Sequence, residues 1–93
     1  MFITVYDYRV RMDQADAAIA LYAHWHRGLA QVCGFVSGEL LTNIHDSQHS
    51  MIVFRFVDED AAWAAAETPE QRELYARLIG LAEAGPIVTY WQI

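Results

Sequence analysis

The chain has 93 residues, a formal net charge of −6, 55% hydrophobic and 13% aromatic residues, and one cysteine. One domain over residues 1–93 is expected, without an internal disulfide, without the basic surface that nucleic acid requires, and without an apolar run approaching the roughly 20 residues of a membrane span. The N-terminus, Met1-Phe2-Ile3-Thr4-Val5, reads as a strand and lacks the basic start of a signal peptide, so a soluble, cytoplasmic protein is expected. The lone Cys33 fits a reducing compartment and is expected to be a small buried apolar side chain.

Residues 2–10 mix β-branched and aromatic types and read as a first strand. A turn over Arg11 to Gln14 follows, with Asp13 as the expected N-cap of a helix reaching Val32. Ala18, Tyr22, Trp25, Leu29 and Val32 recur at helical spacing, flanked by Ile19, His26 and Cys33. Gly34 is the expected helix stop. Residues 35–44 and 50–57 form a hairpin around the polar turn His45-Asp46-Ser47-Gln48. Asp58 caps a short helix from Glu59 to Ala66. Thr68-Pro69-Glu70-Gln71 is a second helix start, in which Gln71 can close a capping box. Leu74, Leu78 and Leu81 give that helix its buried stripe, Gly85-Pro86 ends it, and residues 87–93 form the last strand. The order is β-α-β-β-α-β with the second helix broken near Glu67 and Thr68, an α+β fold of ferredoxin-like type with an antiparallel sheet.

Right-handed crossovers place both helices on one face of such a sheet. The other face should then alternate cleanly to polar residues in a monomer. Instead, the first strand offers Phe2, Thr4, Tyr6, Tyr8 and Val10 on one side and Ile3, Val5, Asp7 and Arg9 on the other. The third and fourth strands are likewise apolar on both sides, through Met51 and Val53 and through Ile87, Trp91 and Ile93. A second copy of the chain is the simplest cover, so a homodimer is expected.

The chain resembles the antibiotic biosynthesis monooxygenase family of dimeric α/β barrels, over essentially its whole length. Cys33-Gly34-Phe35-Val36-Ser37-Gly38-Glu39-Leu40-Leu41 is similar to the family's PGF-x-S-x-x-L run into strand two. Val53-Phe54-Arg55-Phe56-Val57-Asp58-Glu59-Asp60-Ala61-Ala62-Trp63 is similar to its W-E-S-x-E-A passage into the broken helix, with Phe54 where members commonly carry Trp. Thr68-Pro69-Glu70 and Pro86 also fit the pattern. The resemblance implies a dimeric barrel whose pocket lies between sheet and helices, and an activity such as cofactor-free oxidation of aromatic phenols to quinones. Members that form quinones use polar groups near positions occupied here by Ser50, Asp60 and Tyr75, none of a matching type. The haem-degrading branch carries Asn, Trp and an axial His where this chain has Tyr6, Trp63 and Leu74 or Tyr75, so two of its three marks are missing.

The resemblance places Tyr6, Tyr8, Tyr22, His26, Phe54, Trp63 and Tyr75 around one pocket, apolar with a few polar tips, as a small hydrophobic aromatic ligand requires. His26 on the apolar stripe is either a general base or a hydrogen-bonded core histidine. Tyr75 is the candidate catalytic hydroxyl that orients the substrate. Trp63 either stacks on a flat ligand or packs as a lid, and Tyr6, Tyr8, Tyr22 and Phe54 either bind substrate or form an ordinary aromatic core. His24 lies across the helix from His26 and is solvated. His45 and His49 bracket the hairpin turn but make a poor metal site. Asp7 and Arg9 are expected in ion pairs within the dimer. No nucleotide, flavin, phosphate-loop or triad motif is present, and neither cofactor nor metal is expected. The leading reading is a cofactor-independent oxygenase of an anthrone or hydroquinone. The alternatives are a non-catalytic binding or accessory protein and, third, a haem-degrading enzyme, disfavoured by the missing axial histidine.

Overall fold

The computed structural model describes Met1–Ile93 and runs β1 (Phe2–Val10), α1 (Ala15–Leu29), β2 (Phe35–Asn43), β3 (Asp46–Phe56), α2 (Glu59–Ala66), α3 (Pro69–Leu81) and β4 (Ala82–Gln92). The four strands form one antiparallel sheet in the order β2-β3-β1-β4. This is the expected ferredoxin-like α+β arrangement, with the second helix divided in two at Glu67 and Thr68. Each half has its own cap: Asp58 accepts from the Ala61 N–H, and Thr68 accepts from the Gln71 N–H with Pro69 in the first turn. No helix is long and apolar enough to cross a membrane.

The register sorts side chains into rows. Tyr90, Thr4, Phe54 and Gly38 lie side by side on the helix face, as do Val88, Tyr6, Ile52 and Leu40. Trp25, Leu29, Leu74 and Leu78 close the core against these rows. Burying such side chains is worth roughly 1.5–3 kcal/mol each. The opposite face carries the rows Trp91, Ile3, Arg55 and Ile87, Asp7, Met51, Leu41. No helix of the chain covers it. Ile87 is 66% and Trp91 59% exposed there. Asp7 and Arg9 find partners within their own chain: His49 Nε2 lies 2.8 Å from Asp7 Oδ1, and Arg9 pairs with Asp46 and Glu83.

Several boundaries move, each for a local reason. The Gln14 N–H bonds the Arg11 carbonyl at 2.9 Å, so a turn takes up Asp13 and the helix starts at Ala15 without a side-chain cap. At its other end α1 stops at Leu29, where tighter bonds from Gln31 to Gly28 and from Val32 to Leu29 replace the helical ladder. Cys33 therefore lies in the following turn and is exposed, not buried. Gly34 is a junction, not a helix stop: its φ is +90°, and a Cβ there would come within 2.6 Å of the Ala61 side chain. β3 begins at Asp46 because Arg9 holds Asp46 and Gln48, and Gln48 in turn donates to the Val10 carbonyl. Ala82 pairs with Val10, so β4 begins before Gly85-Pro86, which sits at a register shift inside the strand. Gly85 has φ +84°, and a Cβ there would meet the Asp7 carbonyl at 2.8 Å.

Candidate functional site

A cleft of about 200 Å³ opens between the sheet and all three helices. Its floor is the sheet: Thr4 and Tyr6 from β1, Phe54 and Phe56 from β3, Val88 and Tyr90 from β4. Trp25 and Leu29, four residues apart on α1, roof one side. Ala62, Trp63, Ala65 and Ala66 of α2 and Gln71, Arg72 and Tyr75 of α3 form the other. The break between α2 and α3 lets both helices face the same cleft. Small alanines on α2 leave the space, while exposed Trp63, Arg72 and Tyr90 stand around the mouth.

Tyr6 is the centre of an aromatic cluster. Its ring lies 5.1 Å from Trp25, 5.8 Å from Tyr75 and 6.0 Å from Phe54, centroid to centroid. Burial pushes the Tyr6 phenol well above its ordinary range, and the neighbouring Tyr90 and Tyr75 add to the effect. It is therefore a neutral O–H donor at any physiological pH. Trp63 meets Tyr90 edge-on at 4.8 Å and Phe2 at 5.8 Å, and its indole N–H donates to Glu59 Oε2 at 2.8 Å. Glu59 thus fixes the indole one helical turn up the same helix.

Of the residues expected around one pocket, the cleft gathers Tyr6, Phe54, Trp63 and Tyr75. Tyr8, Tyr22 and His26 lie outside its lining. Tyr8 is buried under the neighbouring row beside Ser50; burial raises its phenol and the Ser50 hydrogen bond partly offsets this. Tyr22 stacks on Phe54 at 6.1 Å, and His26 meets Phe35 edge-on at 5.5 Å above Gly38. Burial raises the Tyr22 phenol too, with Glu39 adding to it. The reason for the division is helical: positions 25 and 29 face the cleft, so 22 and 26 fall on the adjacent stripe over β2. His49 is engaged with Asp7 and Asn43, and no cluster of three or more His, Cys, Asp or Glu comes together. Leu74 is core, and no histidine lines the cleft.

Gln71 is the residue sequence reasoning assigned elsewhere. Its side chain does not close the capping box; it is buried and accepts the Trp25 indole N–H. The signal was the α3 stripe itself, since Gln71 stands three residues before Leu74 and one turn back along the apolar face. Tyr90 and Arg72 were also missed. Tyr90 requires knowing which strand flanks β1, and Arg72 requires the break that turns α3 toward α2.

Sheet, helices and an apolar cleft with a few polar tips define an α+β protein with a concave candidate site. A family profile described as antibiotic biosynthesis monooxygenase matches residues 1–77, and the chain belongs to that family. Its fold is similar to that of SnoaB, a cofactor-independent oxygenase from Streptomyces nogalater, at 17% identity and TM-score 0.90, covering 99% of this chain and 91% of that one. A conserved protein from Methanosarcina mazei Go1 is similar at 9% identity and TM-score 0.91, covering 98% and 90%. A protein from Deinococcus radiodurans is similar at 15% identity and TM-score 0.90, covering 100% and 92%. At these identities the likeness is one of fold. No curated protein matches the chain.

Proposed function

We propose that the chain is a cofactor-independent oxygenase, acting as a homodimer, that oxidises an electron-rich aromatic such as an anthrone in the cleft. One observation carries the reading. The rings of Tyr6 and Tyr75 lie 5.8 Å apart, centroid to centroid, in an apolar cleft, and neither hydroxyl is bonded to another protein group. Membership of the family supports the reaction class.

An anthrone that loses a proton becomes a phenolate-like anion able to pass an electron to molecular oxygen directly. Recombination at the CH₂ carbon and loss of water leave a C=O: one oxygen atom enters the product and the other departs as water. The chain's part is to exclude water, hold the ring system flat between Trp63 and the sheet, and donate hydrogen bonds to the developing anion. Tyr6 suits that last role because its raised phenol stays protonated beside the anion. Tyr75 supplies the second donor. The departing proton leaves through the mouth to water in this reading, since His26 is outside the lining.

The test is oxygen uptake with 1,8-dihydroxyanthrone. Wild type should accelerate uptake above buffer, and Tyr6→Phe and Tyr75→Phe should each lose roughly 10²-fold. Saturable binding of the anthrone with no acceleration would make the chain a binding protein and end the oxygenase reading.

A further inference from the structure

Arg72 is the one charged side chain lining the cleft. Its situation differs from that of most other cations of the chain. All six basic residues are arginines, and Arg9, Arg55 and Arg77 are each in an ion pair. Arg77, on the same helix, pairs with Glu73 one turn away at 3.2 Å. Arg72 has no such partner, because its neighbours at helical spacing are Thr68, Pro69, Tyr75 and Ala76. Across the mouth, α2 presents Ala65, Ala66 and Trp63. No carboxylate lines the cleft.

We propose that Arg72 is a specificity residue that recognises an anionic group on the ligand, so that the preferred substrate is an aromatic acid: a flat ring system in the cleft with a carboxylate at the mouth. The inference rests on the cleft being an aromatic-ligand site. A guanidinium presents a planar fork that matches a carboxylate with two parallel hydrogen bonds. A phosphate dianion fits less well, since one fork neutralises half its charge and no second cation lines the cleft. The net charge of −6 sharpens the argument. The overall field repels anions, so any preference for an acid must arise from a local cation and cannot be non-specific attraction. Arg72 stands exposed at the mouth, so a single pair there is of modest strength and the preference it confers is correspondingly small.

The experiment compares 2-naphthoate with its neutral near-isostere 2-naphthamide, titrated into the full chain at low ionic strength and followed by tryptophan fluorescence and calorimetry. Wild type should bind naphthoate roughly fivefold to tenfold more tightly. Arg72→Gln should remove the preference while leaving the naphthamide affinity unchanged, and Arg72→Lys should keep part of it. Added salt should narrow the gap in wild type and not in Arg72→Gln. Equal affinities in wild type would overturn the proposal, and so would a preference that survives Arg72→Gln. Naphthamide binding without a preference removes Arg72 and leaves the oxygenase reading intact. Failure of both ligands to bind removes the aromatic cleft and this inference together. The wild-type comparison decides the matter even if a variant misfolds.

Discussion

Trp25 of α1 donates its indole N–H to the side-chain oxygen of Gln71 on α3, and both residues line the cleft as well as the core. The bond ties α1 to α3 in the wall of the cleft. Gln71→Leu keeps the volume but strands a buried indole N–H, which should cost about 1–3 kcal/mol in urea unfolding. Trp25→Phe removes the donor and leaves Gln71 to find another partner. In a double-mutant cycle the two losses should fall short of additive. Additive losses would mean that the pair contributes nothing beyond packing.

The fold was legible because every element is reinforced at several levels. Period-two runs, caps at Asp58 and Thr68, and the helical stripe through Ala18, Trp25 and Leu29 agree with one another, although the periodicity runs on to Val32, past the helix end at Leu29. What was not legible depends on contacts far apart in sequence. Arg9 reaches 37 residues along the chain to lengthen β3, and Asp7 meets Gly85 to bend β4. The site divides in the same way. Tyr6, Phe54, Trp63 and Tyr75 follow from strand alternation and the family pattern. The exclusion of His26 turns on a rotation of one residue around α1, which periodicity alone does not resolve.

Dimerisation is tested on the open sheet face. Val53 is unsuitable because it is already buried within one chain, so a charge there tests the fold. Ile87 and Trp91 are exposed in the single chain and lie on the same face. Sedimentation of wild type should give about twice the 10.6 kDa chain mass. Ile87→Glu and Trp91→Glu should stay folded and sediment as monomers, because a dimer would bury the new charge. A monomeric wild type would show that the face is not covered by a second copy.

Trp63 should act on binding before chemistry. Its ring meets Tyr90 and Phe2 on one side, and Glu59 fixes its N–H. Trp63→Ala should raise the dissociation constant of a flat aromatic by roughly fivefold to fiftyfold through lost stacking and lost cover. Glu59→Gln keeps an acceptor for the indole and should change affinity by less than about twofold. An unchanged affinity in Trp63→Ala would place the ligand away from the mouth.

Tyr6 predicts an alkaline limit to stability. Its phenol is raised in the folded chain above the ordinary value of 10.0, mainly by burial. Below that value both states hold the proton, and the contribution is fully present. As pH rises past it, the unfolded chain releases a proton that folded Tyr6 keeps, so unfolding is increasingly favoured. Tyr8 and Tyr22 are raised as well and act in the same direction. Melting temperature should fall above about pH 10, and Tyr6→Phe should flatten that fall without changing the neutral-pH baseline by more than about 1 kcal/mol. An alkaline slope identical in Tyr6→Phe would mean that the phenol is not buried in solution.

His26 separates a base from a packing residue. The ring sits over Gly38, where a Cβ would come within 2.7 Å of its Cδ2, and it packs on Tyr22 and Phe35. Phe54 intervenes in the contact network: it lines the cleft and also packs on Tyr22 and Phe35. To reach a substrate, His26 would need that layer of rings to move. His26→Gln should therefore stay folded, lose no more than about 1 kcal/mol, and keep oxygen uptake within about twofold of wild type. Gly38→Ala should be the more damaging change, since the added methyl collides with both His26 and Phe54, at about 1–3 kcal/mol. A general base would behave in the opposite way. His26→Gln would then bind the anthrone normally yet lose roughly 10²–10⁴-fold in turnover. That outcome would return the base to α1 and require Phe54 to swing aside when substrate binds.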